Sequence, residues 1–290
     1  MPNDKDKIKT SEGTFTGTGN RLVKVPSVTA PDAEGYISFE LPSRIGTVSM
    51  REMETDEENL WGKNLATDPL GPFYTIFSRC VRGLPLRYPD QGKLDINASK
   101  VWLDDFTAIL FMLRRFSYGD IYKFGITCPK CKEIYSWEQD LAEIEFFYAS
   151  DEVSEHLKND TPFEYTSPRG RQFKYRLPVA YDQDRLFRLQ STDKEHLRTE
   201  MVRLCILDID NQGVAHDTVL KKMKVSELRF FEQNGLNDKG FGVNRSIYPS
   251  CFHCDHKVEM ELPIDSADFF IKPSVVLKPD GTFTTLSGAH

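Results

Sequence analysis

The sequence predicts an α+β fold of two diverged repeats, each a β-hairpin plus helices and a zinc knuckle, joined at one zinc-ribbon-like four-cysteine site. Three observations carry this expectation. Two Cys-x-x-Cys pairs are present, Cys128 with Cys131 and Cys251 with Cys254. Strand-like stretches flank each pair, residues 122–127 and 134–137 around the first, 246–249 and 257–262 around the second. A set of landmarks also recurs along the chain at nearly one spacing.

The knuckles point to a metal. Zn²⁺ in a structural site takes four ligands in a tetrahedron and favours thiolates, and a Cys-x-x-Cys turn lets two sulfurs face one ion. Pro129-Lys130 and Phe252-His253 form the two turns. The expected ligands are Cys128, Cys131, Cys251 and Cys254, holding one structural Zn²⁺. Four thiolates leave no open position for a water, which argues against a catalytic zinc. Two other readings stand beside this one. His253 or His256 could replace a thiolate, or the pairs could be redox couples. The redox reading is the weaker, because neither pair opens a helix in a βαβ context.

The spacing explains why the pairs lie so far apart. Cys128 to Cys251 and Cys131 to Cys254 are both 123 residues. Cys80 and Cys205, each upstream of a knuckle, are 125 apart, as are Arg44 and Arg169. Phe39 and Phe163 are 124 apart, and the double phenylalanines at 146–147 and 269–270 are 123 apart. Landmarks in one order at nearly one spacing predict a duplication. Each half supplies one knuckle and neither completes a four-coordinate site alone, so the metal is expected to clamp the halves together. Cys80 and Cys205 read as buried helix residues.

The organisation follows in order. Residues 1–36 are polar and rich in Thr, Gly, Ser, Asp and Lys, and read as an extended N-terminal arm. Residues 37–150 form the first repeat, with its knuckle at 128–131. It opens with a hairpin, 37–41 with 47–50. Helices are expected at 53–64, 72–80 and 101–116, the last with an apolar stripe through Leu103, Phe106, Leu110 and Leu113. The acidic run at 50–58 reads as a solvated helix start that complements the helix dipole, and Asp104-Asp105 reads likewise. Residues 151–270 form the second repeat, with its knuckle at 251–254. It has a hairpin of 163–166 with 172–177 and helices at 182–207 and 225–234. Residues 271–290 form a C-terminal arm with a turn at Pro279-Asp280-Gly281.

Composition narrows the function. The chain has 290 residues, 39% hydrophobic and 28% charged, enough for a sizeable core. A net charge of −7 argues against a general nucleic-acid binder, which needs a basic surface to displace counterions. No apolar run approaches the roughly 20 residues that span a bilayer. The opening residues carry no apolar signal-peptide core. A soluble protein made in a cytoplasm keeps its thiols reduced, which again favours metal over disulfides. Enzyme signatures are missing from the sequence. There is no G-x-x-x-x-G-K-[ST] loop, no H-E-x-x-H and no G-x-S-x-G elbow. Gly17-Thr18-Gly19 follows no strand-like stretch, so it does not read as a dinucleotide fingerprint.

The order of motifs resembles a family. LPSR at 41–44 is followed by METDEEN at 53–59, RCV at 79–81 and FSYGDIYKFGITCPKCKEIYSWEQDL at 116–141. RLCILDID at 203–210 and CFHCDHKVEMELPIDSADFF at 251–270 repeat the pattern. The whole resembles the baseplate-hub assembly proteins of T-even-like contractile-tailed bacteriophages and related tail proteins, over residues 37–270. The long N-terminal arm departs from that compact pattern. The resemblance implies a non-enzymatic, virus-encoded structural or assembly protein whose partners are other baseplate, hub or tail-tube proteins. Its place would be the virion tail baseplate, or the host cytoplasm during assembly. The four cysteines match the family's metal-knuckle positions. The alternative is a zinc-ribbon nucleic-acid-binding or transcription-factor-like module.

Overall fold

The computed structural model describes residues 21–24, 26–60, 71–84, 101–189, 194–213, 216–264, 269–270, 275–277 and 283–285. Helices and several small antiparallel sheets are mixed along the chain.

The first sheet follows from alternation. Strands β2 (Ile37–Glu40) and β3 (Thr47–Met50) turn Ile37, Phe39, Val48 and Met50 inward. They pair Ile37 with Met50 and Phe39 with Val48. A short acidic helix, α1 (Thr55–Glu58), comes next. Helix α2 (Gly71–Cys80) buries Phe73, Ile76, Phe77 and Cys80, a 3.6-residue stripe. The chain runs directly from Cys80 into β4 (Val81–Arg82), which pairs with β3.

Helix α3 (Leu103–Tyr118) is the centre of the molecule, with Phe106 and every residue from Ala108 to Leu113 buried. Gly119, at φ 81°, ends it in a backbone conformation that glycine adopts without strain. A long hairpin follows, β5 (Ile121–Thr127) with β6 (Ile134–Asp140). Strand β7 (Glu145–Tyr148) leads into α4 (Asp151–Lys158), which is N-capped by the Ser150 hydroxyl.

The second half has its own three-stranded sheet. Strands β8 (Phe163–Thr166) and β9 (Gln172–Tyr175) form a hairpin. Helices α5 (Ala180–Arg188) and α6 (Lys194–Cys205) follow, and β10 (Ile206–Ile209) leaves α6 directly to pair with β9. Thus both sheets have the order first, second, third strand, and in both the third strand follows a helix that ends in a buried cysteine. The agreement reaches single bonds. The Arg51 N–H donates to the Cys80 carbonyl at 3.0 Å and the Arg176 N–H to the Cys205 carbonyl at 2.9 Å. Both guanidinium groups then grip a carboxylate six residues on. Arg51 reaches Glu57 at 2.7 and 3.1 Å, and Arg176 reaches Asp182 at 2.6 and 2.8 Å.

Helices α7 (His216–Lys222) and α8 (Val225–Phe231) pass into a π-turn at Glu232–Leu236. Short strands end the described fold: β11 (Gly242–Val243), β12 (Ser246–Ile247), β13 (Met260–Glu261), and the hairpin of β14 (Val275–Leu277) with β15 (Phe283–Thr285).

Packing crosses the expected boundary at 150/151. One core joins β2, β3, α2 and α3 to Ile247, Leu262, Ile264, Phe269 and Phe270 of the second half. A second core joins β8, β9 and β10 to Trp102 and Ala149 of the first. Strand β7 lies between β1 (Arg21–Lys24) and β11.

Several sequence expectations are corrected. Residues 21–24 form a strand and Pro26 and Tyr36 are buried, so the N-terminal arm is not wholly outside the packing. Backbone pairing with β7, which residue composition does not reveal, holds it there. The helix expected at 182–207 is two helices, and residues 190–193 between them lie outside the described residues. Of the helix expected at 53–64, the four residues of α1 are described as helix, and 61–64 lie outside. The helix expected at 225–234 gives way to the π-turn, where the Tyr175 hydroxyl donates to the Gly235 carbonyl at 3.0 Å. In the acidic run, Glu57 is buried rather than solvated, because Arg51 pairs with it. Asp105 is buried as well, accepting from the Ser43 N–H at 3.0 Å. Residues 1–20, the turn at 279–281 and most of the C-terminal arm lie outside the described residues.

Candidate metal centre

Two hairpins carry the knuckles. The first is β5–β6, whose seven paired positions give it length and twist. The second is shorter than its sequence suggests. Strands β12 and β13 share two pairs, with one further bridge between Ser250 and Lys257. Pro249 lacks an N–H and cannot extend the ladder on that side, although its carbonyl accepts from Val258 at 2.8 Å.

The two turns share one backbone design. Cys128 N–H donates to the Glu133 carbonyl at 2.9 Å, and Lys132 N–H to the Cys128 carbonyl at 3.0 Å. Cys251 N–H donates to the His256 carbonyl and Asp255 N–H to the Cys251 carbonyl, both at 2.9 Å. Lys132 (φ 66°) and Asp255 (φ 53°), each just after the second cysteine, take the left-handed conformation that closes the turn.

The structure brings all four expected cysteines together. Cys128 Sγ lies 3.7 Å from Cys254 Sγ, and Cys131 Sγ lies 3.7 Å from Cys251 Sγ. All four sulfurs are within 4.8 Å of one another. A tetrahedral zinc with Zn–S bonds of about 2.3 Å sets its sulfurs about 3.8 Å apart. The donor set and spacing therefore fit a closed four-thiolate ion, with Cys128 and Cys251 buried and Cys131 and Cys254 part-exposed. Among the described residues this cluster contains no histidine. Cys80 and Cys205 lie elsewhere, buried at helix ends, where burial pushes both thiols up to about 12.

In the first knuckle one thiol is drawn toward the thiolate and its neighbour is held protonated: against the pull of the Glu133 N–H, burial and the surrounding sulfurs push Cys131 up to about 12. The Cys131 N–H, with help from the Lys130 N–H, draws the Cys128 thiol down to about 6 against the opposing effect of burial. Four thiols this close lose their protons as a coupled set. A cation at the centre reverses the mutual repulsion of the thiolates and releases the remaining protons.

Around the sulfurs sits a small apolar cluster, distinct from the two main cores. It contains Ile126 and Tyr135, with Phe124, Trp137, Val258 and Met260 packed against it. Phe252, in the second knuckle, meets Tyr135 edge-on at 5.5 Å and stacks on Trp137 at 6.1 Å. The sequence reading recognised residues 134–137 as a strand but not the place of Tyr135 or Phe252 beside the sulfurs. Period-2 alternation in β6 was the available signal, since it puts Tyr135 on the face opposite Ile134.

Among the described residues no helix is long and apolar enough to cross a membrane. Compared with protein-family models, curated proteins and solved structures, the chain matches none.

Proposed function

We propose that this chain is a non-enzymatic structural or assembly protein of a contractile phage tail baseplate, in the hub region. In this reading it is built of two diverged repeats whose knuckles share one structural zinc. The observation that carries the metal reading is the closed set of four sulfurs, which leaves no coordination position for a substrate or water. Bound there, Zn²⁺ supplies cross-linking and no chemistry. Cys128 and Cys131 hold it from one hairpin, Cys251 and Cys254 from the other.

Duplication is supported by the matched sheets and by the Arg51–Glu57 and Arg176–Asp182 clasps, offset by the same 125 residues as Cys80 and Cys205. The hairpin loop is one residue shorter in the second half, 167–171 against 41–46.

The non-enzymatic reading is supported by the site chemistry, four sulfurs that close the coordination sphere. The baseplate assignment rests on the resemblance of residues 37–270. Native mass spectrometry tests the metal, and one zinc per chain, lost to a strong chelator, is expected. Co-purification with hub or tail-tube proteins tests the baseplate. A chain that associates with none of them overturns that assignment even if the zinc is present.

A further inference from the structure

The four sulfurs meet in a crossed pattern. Two distances of 3.7 Å run between the hairpins, from Cys128 Sγ to Cys254 Sγ and from Cys131 Sγ to Cys251 Sγ. Each joins the buried first cysteine of one knuckle to the part-exposed second cysteine of the other. The two pairs use every ligand once and tie the hairpins together twice. A disulfide sets its sulfurs about 2.05 Å apart, so closing either pair from 3.7 Å moves each sulfur by about 0.8 Å.

A thiolate is the form that an oxidant meets, and a four-thiolate metal keeps every sulfur in that form. Attack falls on the sulfurs that solvent reaches, here those of Cys131 and Cys254. For each of them a buried sulfur lies across the site on the other hairpin, at contact distance. Both knuckles lead from strand to strand, β5 to β6 and β12 to β13. They lack the helix N-terminus that favours a redox couple within one Cys-x-x-Cys turn. Cys80 and Cys205 are buried outside the cluster and are not competing partners.

We infer that the four-cysteine site is a redox-convertible clamp, in which a peroxide exchanges the metal for two disulfides that run between the hairpins, Cys128–Cys254 and Cys131–Cys251. The part-exposed thiolate attacks one peroxide oxygen and the O–O bond breaks. A sulfenic acid forms, and the departing hydroxide takes a proton to become water. The buried thiolate across the site then attacks the sulfenic sulfur. The S–S bond forms, the S–O bond breaks, and the leaving hydroxide takes a second proton. Sulfur is oxidised, peroxide oxygen is reduced, and the metal leaves as the same divalent cation. The inference rests, for its reduced state, on the reading of the four cysteines as a metal site. Its consequence is that the ribbon stays closed in both states, whereas disulfides within each knuckle would let the hairpins part.

The test treats the zinc-loaded, full-length chain with hydrogen peroxide. Released zinc is followed with a colorimetric chelator, disulfides by peptide mapping, and the ribbon by hydrogen exchange. Zinc is expected to leave as the thiols of the site are lost, with linked peptides that join Cys128 to Cys254 and Cys131 to Cys251. Residues 121–140 and 246–261 are expected to stay protected in the oxidised, metal-free chain and to lose protection in the reduced, chelated one. A thiol reductant with added zinc should restore the starting state. Disulfides within the knuckles, sulfinic or sulfonic acids in their place, zinc that stays bound, or loss of protection in the oxidised chain each overturn the inference while leaving the metal reading intact. A reduced chain that takes up no zinc removes the metal reading itself, and the exchange with it.

Discussion

Asp105→Asn should make the protein more stable at neutral pH and flatten the dependence of its stability on pH. Asp105 sits in the first turn of α3 and is fully buried. One carboxylate oxygen accepts from the Ser43 N–H, and the other has no partner within the protein. Burial raises its pKa from 3.8 to about 7, against the opposing effect of the Ser43 bond. Asp104 beside it is pushed to a similar value, by burial first and by the charge of Asp105 second. Asp104 keeps part of its surface exposed, so the magnitude is worked from Asp105. Between pH 4 and 7 the unfolded chain has ionised this carboxyl while the folded chain retains the proton. The folded state then binds more protons, so stability falls as pH rises, and the loss is complete above about pH 7.

At about 1.36 kcal/mol per pH unit, the climb amounts to roughly 4 kcal/mol in all, and about 3 kcal/mol of it falls between pH 5 and 8. The positive end of α3 favours an anion there by about 0.3–1 kcal/mol, too little to reverse the sign. Asparagine retains an acceptor for Ser43 and cannot ionise. Urea unfolding of both proteins at pH 5 and pH 8 reads the effect as a double difference, in which every titrating group not coupled to Asp105 cancels and Asp104, relieved of the Asp105 charge, is the one that does not. The Asp105→Asn variant should gain about 3 kcal/mol on wild type between the two pH values. If the difference between variant and wild type is the same at both, the buried carboxyl is ionised in the fold and the reasoning fails.

Metal removal should be a local event. Hydrogen exchange after chelation is expected to speed up in residues 121–140 and 246–261 while the amides of β2, β3, β8 and β9 stay protected; global loss of protection would contradict this. The Arg176–Asp182 clasp should behave as a buried pair, since the Asp182 side chain is 2% exposed. Arg176→Met alone should cost about 3–5 kcal/mol by stranding the carboxylate, while adding Asp182→Leu should recover most of it. Arg51→Met should cost about as much as Arg176→Met through Glu57, and unequal costs measured by denaturant unfolding would separate the two halves energetically. In Glu57, burial alone would raise the pKa, but the Arg51 bonds outweigh it and the net shift is downward. The stability this contributes is therefore present above the ordinary glutamate pKa and is lost as pH falls through the lowered folded value.

What the sequence disclosed was what short-range pattern encodes. Alternation placed the hairpins β2–β3 and β8–β9, because one buried face fixes which residues turn inward. The apolar density of residues 106–113 placed α3. The knuckles were legible because two ligands on one tight turn need a fixed spacing, and two such turns supply one tetrahedron. Hidden features depended on partners distant in sequence. Nothing local to residues 21–24 or 242–243 says that both will flank β7. Glu57 reads as one of several acids on a solvated face until Arg51 is seen against it, and Asp105 as helix-start charge until Ser43 closes over it.

The interleaved cores change what the metal has to do. Four sulfurs drawn from both halves suggest a staple without which the halves part. Yet Phe269 and Phe270 are already sealed against Phe73, Phe111 and Tyr122, and Trp102 against the other core. Those contacts join the halves through large buried aromatic surfaces that owe nothing to the cysteines. The knuckle hairpins stand differently. Their own cluster is small, and β12–β13 has two residue pairs, fewer than an isolated hairpin needs to persist in water. Zinc at four thiolates contributes about 10–16 kcal/mol in isolated peptides, more than enough to order such a ribbon. In the proposed zinc-bound state the binding energy is spent where the chain is weakest, so the body is expected to keep its fold without the ion, and the ribbon, with Ile134 and Phe252 exposed at its tip, to owe its defined shape to it.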